Sequence, residues 1–183
     1  MVFDTAERFA WAAADLVGGS RIVVGDGAPA LMAGHLPAAV GVGRDRVDVA
    51  VVMASQVDVS GRWVTGSPMA GTEEAVESAT DADVINRAGR VVVLVDHRGA
   101  DGSSTVVVRC SPSVGRTRPA DRILTDLAVI DVTEHGLVLR ETAPGVRASD
   151  VVRATAAPIN VLDHLSASFA RDARPRRAGP PRW

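Results

Sequence analysis

PADRILTDLAVIDVTEHGLVLRETAPGVRASDVVRATAAP, residues 119–158, decides how this chain folds. Two apolar runs, Val129 to Val132 and Leu137 to Arg140, flank the tetrad Thr133-Glu134-His135-Gly136. Its polar residues and closing glycine mark a tight turn, so the two runs are expected to pair as an antiparallel hairpin. Pro144-Gly145 then interrupts the chain, and a short helix is expected before Pro158.

Upstream, the apolar runs have a different character. Residues 48–53 and 90–95 are nearly continuous in valine and other apolar types, the pattern of strands covered by helices on both faces. Arg21 to Val24 is a third, shorter run, followed by Gly25-Asp26-Gly27-Ala28-Pro29 and a helical stretch to about His35. Thr72-Glu73-Glu74 opens a further helical pattern with acidic residues where a helix dipole favours them. Asp4 with Glu7 resembles a capping box before an amphipathic opening helix closed by Gly18-Gly19. Residues 105–108 form one more brief strand. The expected fold is α/β: an open, mostly parallel sheet flanked by helices, with a C-terminal antiparallel hairpin, occupying residues 1–168. Residues 169–183 contain RDARPRRAGPPRW and little to bury, so a disordered Arg/Pro-rich tail is expected there.

Composition narrows the function classes. A chain of 183 residues, 46% of them hydrophobic, is large enough to bury about 70% of its unfolded surface in one domain. A net charge of -2 lacks the basic excess needed for a nucleic-acid or anionic-membrane surface, so neither partner is expected. All 20 basic residues are Arg; without lysine, this sequence supplies neither a Schiff base nor a phosphate-loop lysine. The single Cys110 cannot close an intramolecular disulfide. No apolar run approaches membrane length and the N-terminus does not read as a signal peptide, so a soluble, cytoplasmic protein is expected. No His/Cys/Asp spacing reads as a metal site, and no bound cofactor is expected.

The 119–158 block resembles the C-terminal signature of the B (beta) subunit of class I CoA-transferases. The ordered matches are Asp121-Arg122-Ile123, Thr125 through Val132, Gly136-Leu137, Glu141, Pro144-Gly145-Val146 and Ala154-Thr155. The likeness extends upstream through Gly25, Gly27, Pro29 and Pro37, through Gln56-Val57-Asp58 and Gly61, and through Arg90 to Val93 with His97, where Asp96 replaces the usual Glu. It implies a heteromer whose active site lies between this chain and an A (alpha) subunit of similar fold. Coenzyme A or an acyl-CoA is then a possible substrate.

Two departures bear on chemistry. Where the family inserts several tens of residues carrying Ser-Glu-Asn-Gly, this chain has only AAVGVGRDRV at 38–47. The resemblance assigns the nucleophile to that missing Glu, whose carboxylate forms an anhydride and then a thioester with the substrate. The family's Gly-Met-Gly-Gly loop corresponds to Glu77-Ser78-Ala79-Thr80, where Cβ atoms obstruct close backbone approach.

The candidate site residues each carry two readings. Gly25, Asp26 and Gly27 either line a substrate site or form a structural strand-to-helix turn. Gln56, the only glutamine of the chain, either hydrogen-bonds a substrate carbonyl or satisfies backbone at a strand end. His97 is a candidate general acid or base, or a hydrogen-bonding loop residue. Arg122, with Asp121 and Asp126, either binds a carboxylate or positions the hairpin through ion pairs. Three functions follow: a B-like subunit with altered chemistry, namely hydrolysis or carbon-carbon bond cleavage or formation on an acyl thioester or related substrate; a non-catalytic pseudo-subunit that stabilises an active A subunit; and a stand-alone small-molecule binding module.

Overall fold

Valine-rich runs that leave no polar face have one stable home, the interior of a sheet with both faces covered, and these runs occupy it. The computed structural model describes residues 22–24, 48–64, 83, 85–110 and 118–165. Its main sheet has seven strands in the order β1-β2-β5-β7-β8-β9-β10. Strands β1 (Ile22–Val24), β2 (Val49–Met53), β5 (Arg90–Leu94) and β7 (Arg122–Leu124) run parallel to one another. Val91, Val92 and Val93 of β5 have no solvent exposure. The opening helix, the 72–77 pattern, the loop of Gly25, Asp26 and Gly27, and the 169–183 tail lie outside the described residues.

The hairpin forms where the sequence puts it. Strand β8 (Ala128–Thr133) pairs antiparallel with β9 (Gly136–Thr142). Gly136 adopts φ 101° at the turn that joins the two strands, a conformation that favours glycine. Thr133 Oγ1 accepts from the His135 N–H and donates to the Gly136 carbonyl. Pro144-Gly145 makes a second turn, with Gly145 at φ 79° and the Val146 N–H donating to the Ala143 carbonyl. It delivers the chain to helix α1 (Ala148–Ala154), which packs Ala148, Val151 and Ala154 inward. β10 (Ile159–Val161) returns parallel to β9 at the sheet edge.

Two features depart from expectation. The 119–158 block holds three strands, because the short β7 precedes the hairpin and links it to the parallel half of the sheet. Three residues are too few to display a period. Asp121 extends the β5–β7 ladder with its side chain, Oδ2 accepting from the Val91 N–H at 2.7 Å. A second sheet, β4-β3-β6, also forms from Gln56–Asp58 (β3), Trp63–Val64 (β4) and Val106–Val107 (β6). Val57 and Trp63 join Val106 in the core this sheet shares with the main one.

Arg122 finds its ion-pair partner in Asp131, not in Asp121 or Asp126. Its guanidinium contacts Asp131 at 2.6 Å, directly across the β7–β8 register, and Arg140 of β9 holds the other Asp131 oxygen at 2.8 Å. The hairpin is positioned by charge as expected, through a different carboxylate.

Candidate functional site

Parallel strands put their C-terminal ends, and the loops that follow, on one edge of the sheet, which is where open α/β folds carry their sites. A cleft of about 560 Å³ opens there, lined by Ala54, Ser55 and Gln56 after β2, Val95, Asp96, Arg98 and Gly99 after β5, and residues up to Thr105. The ladder holds both ends together: the Ala54 N–H donates to the Leu94 carbonyl at 2.9 Å, and the Val95 N–H to the Leu124 carbonyl at 3.0 Å.

Gln56 is among the residues that line this cleft. The structure adds two groups that the sequence did not place among the site candidates, Asp96 and Arg98. The cleft wall strips part of the solvation from the Asp96 carboxylate, and the neighbouring Asp126 carboxylate repels its charge; both effects raise its pKa above the ordinary aspartate value. Arg98 donates to the Gly102 carbonyl at 2.7 Å and sits at the base of a tight loop bridged through Ser104. At the tip, the Asp101 carboxylate accepts from the Ser103 hydroxyl and backbone N–H, bonds that lower its pKa. Asp96 was findable as the carboxylate at the end of a buried parallel strand. Arg98 carries no signal of its own in the sequence.

Between these two cleft residues, His97 points the other way. It is 1% exposed, and the cleft lining includes both its neighbours but not His97 itself. Nδ1 lies 2.9 Å from Thr125 Oγ1 and Nε2 lies 3.0 Å from Thr155 Oγ1. The hydroxyl inventory assigns the tautomer. Thr155 spends its proton on the Val151 carbonyl at 2.7 Å, so Nε2 must be the donor. Thr125 Oγ1 accepts from the Leu127 and Ala128 N–H groups and has two acceptors for its proton, the Ala128 carbonyl at 3.3 Å and Nδ1 at 2.9 Å. With Nε2 protonated in a neutral ring, the bare and nearer Nδ1 takes it. The chain of donation therefore runs from Thr125 to His97 to Thr155 to Val151. An imidazolium would point a second N–H at a filled oxygen. Burial, the larger effect, and Arg98 lower the His97 pKa to about 4, while Asp126 opposes them.

The small sheet contributes Gln56 to the cleft lining. Asp58, 1% exposed, uses Oδ1 to accept from the Ser60 and Arg62 N–H groups and Oδ2 to pair with the Arg62 guanidinium at 3.2 Å. Cys110 sits beside it with its thiol on the Arg62 carbonyl; burial, then the Asp58 charge, push its pKa up to about 12. It is no nucleophile at neutral pH. Among the described residues no group of His, Cys, Asp or Glu is arranged to hold a metal ion, and no helix is long and apolar enough to cross a membrane. Gly25, Asp26 and Gly27, and the segments 38–47 and 77–80, lie outside the described residues.

The chain resembles known proteins at two levels. The sequence pattern of the family described as Coenzyme A transferase matches residues 31–154. The B-type chain of the 3-oxoadipate CoA-transferase of Pseudomonas putida is 31% identical over 79% of this chain and 62% of its own length. The beta-type chain of a probable coenzyme A transferase of Bacillus subtilis is 30% identical over 64% of this chain and 54% of its own. The chain thus spans between about half and three fifths of these relatives. Among solved structures, the decarboxylase AibA/AibB superposes with a TM-score of 0.62 over 86% of each chain at 19% identity. The acyl-CoA transferase YdiF of Escherichia coli O157:H7 does so with a TM-score of 0.60 over 87% of this chain and 42% of its own at 16% identity. At such identities these structures speak for the fold alone.

Proposed function

This chain belongs to the coenzyme A transferase family, and from that premise we propose that it is the B-type subunit of a two-subunit enzyme. Its 54–105 cleft then forms one wall of a site completed by an A-type subunit. The observation that carries this reading is the cleft itself: it opens at the C-terminal ends of β2 and β5 and counts Gln56, Asp96 and Arg98 in its lining. An amide donor suits a thioester carbonyl, and a carboxylate of raised proton affinity suits proton transfer better than nucleophilic attack.

The chemistry proposed is hydrolysis, or carbon-carbon bond cleavage or formation, on an acyl thioester or related substrate. Two points support it over simple CoA transfer. Segment 38–47 contains no Glu, so the glutamyl intermediate of orthodox transfer has no nucleophile there. The shared fold also occurs in a protein described as a decarboxylase, so the architecture accommodates reactions other than group transfer.

Co-expression with an A-type subunit, followed by intact-mass and size measurement with and without an acyl-CoA, tests the proposal. The expected result is a stable hetero-oligomer that consumes the thioester, with turnover reduced about a hundredfold by Asp96→Asn. No complex sinks the subunit reading; a stable complex inert to acyl-CoA sinks the thioester.

A further inference from the structure

We propose that His97 is a positioning residue, a neutral pin that fastens the Asp96–Arg98 floor of the cleft to the β7–β8 turn and to the C-terminal end of α1. The proposal rests on the cleft being the functional site. Its basis is that the four polar groups of residue 97 are tied to three separate parts of the chain: the 125–126 turn twice, Thr105 and Thr155. The backbone N–H donates to Asp126 Oδ1 at 2.8 Å, and the carbonyl accepts from the Thr105 N–H at 3.2 Å. The ring accepts from Thr125 and donates to Thr155, positions 28 and 58 residues away.

Both hydroxyls are themselves held. Thr125 Oγ1 lies inside the turn that leads into β8, accepting from two backbone N–H groups. Thr155 caps α1, its backbone N–H reaching the Val151 and Val152 carbonyls while its hydroxyl bonds Val151. The ring is thus fixed at both nitrogens between two rigid anchors, and the residues on either side of it are the ones that face the cleft. A side chain locked this way limits the angular freedom of Asp96 and Arg98, which is what positioning of reacting groups requires.

Thr155→Val keeps the branched shape and removes the acceptor for Nε2–H; Thr155→Ser restores it. Amide hydrogen exchange is measured for residues 96–105 in the wild type and both variants. The expected result is exchange faster by at least about tenfold in Thr155→Val and near wild type in Thr155→Ser. Unchanged protection in Thr155→Val overturns the pin. Nitrogen-15 spectra of the histidine ring at neutral pH provide a second reading: Nε2–H with bare Nδ1 is expected, and the opposite tautomer or an imidazolium overturns the assignment. In the complex with its A-type subunit, Thr155→Val is expected to lower kcat on the acyl-CoA about tenfold with KM within about twofold. Loosened exchange with unchanged kcat overturns the positioning role. An inert wild-type complex defeats the thioester reading instead, and the exchange data then decide the pin on their own.

Discussion

The β8–β9 hairpin and the 54–110 segment are both tied by polar contacts, but over very different distances along the chain. In the hairpin the ties are local: Thr133 to Gly136, Val146 to Ala143, and Asp131 to Arg122 and Arg140, each 3 to 9 residues apart. The cleft segment has short ties too, Asp58 to Arg62 and Asp101 to Ser103 among them, but it adds remote ones that these hairpin contacts lack. Trp63 Nε1 donates to the Arg118 carbonyl, 55 residues on; Cys110 N–H reaches Asp58, 52 residues back; His97 reaches Thr155. Local ties close small loops at little entropic cost, whereas remote ones form only once the rest of the fold has brought their ends together. The cleft is therefore the part of this molecule whose geometry depends on everything else being in place.

The glycines give the largest expected contrast. Gly61 sits at φ 75°, and a Cβ there would lie 2.5 Å from the Ala120 carbonyl oxygen, where the Ala120 N–H also bonds the Gly61 carbonyl at 2.8 Å. Gly61→Ala both strains the backbone and pushes the small sheet off the main one, and about 3 to 5 kcal/mol of stability is expected to be lost. Gly145 has φ 79° but open space around it, so Gly145→Ala is expected to cost only about 1 kcal/mol. Urea denaturation of both variants measures the difference; equal losses would remove the distinction between the two regions.

Acid separates them next. With its folded pKa at about 4 against an ordinary 6.5, His97 binds its proton more readily in the unfolded chain. Its contribution is complete above pH 6.5 and is lost as pH falls towards 4, amounting to roughly 3 kcal/mol across that window. The charged groups acting on it are Asp126 and Arg98. Asp96, with a raised pKa, acts in the opposite direction, stabilising slightly as it protonates above 3.8. Denaturation at pH 7 and pH 4.5 is expected to show a steep loss in the wild type and a shallower one in His97→Gln. Parallel pH profiles would mean that the imidazole titrates normally.

The smallest effect belongs to the hairpin. Asp131→Asn removes the charge from both pairs. Arg140 is about half exposed, so solvent screens that pair, and at the less exposed Arg122 pair the amide oxygen still accepts a hydrogen bond. A loss of about 1 kcal/mol, reduced further by salt, is expected from thermal unfolding at two ionic strengths. A loss as large as that of Gly61→Ala would show that the hairpin also depends on a shared network.

Much of this architecture was legible because its causes are local. The hairpin is written in two apolar runs around a turn ending in glycine, and the central parallel strands are written in valine runs with no polar face. The family likeness already marked Thr125, His97, Gly61 and Thr155 as matched positions, with a reason offered only for His97, as an acid or base or a hydrogen-bonding loop residue. β7 escaped notice because three residues have no periodicity; of the small sheet only the 105–108 strand was expected, because its strands are two or three residues long and pair across the chain. Arg122 was read as an ion-pairing residue, but its partner depended on register: Asp131 stands directly opposite, whereas the adjacent Asp121 points its carboxylate to the Val91 N–H.

By itself, the sequence determined an α/β chain with a parallel core, a C-terminal hairpin, a family likeness and no lysine chemistry, because composition, periodicity and turn residues act over a few positions. Only the tertiary structure decided that His97 turns inward between two threonines while Asp96 and Arg98 turn outward to the cleft. Adjacent residues on an extended backbone face opposite sides, and which side is cleft and which is core is settled by strands and a helix drawn from elsewhere in the chain.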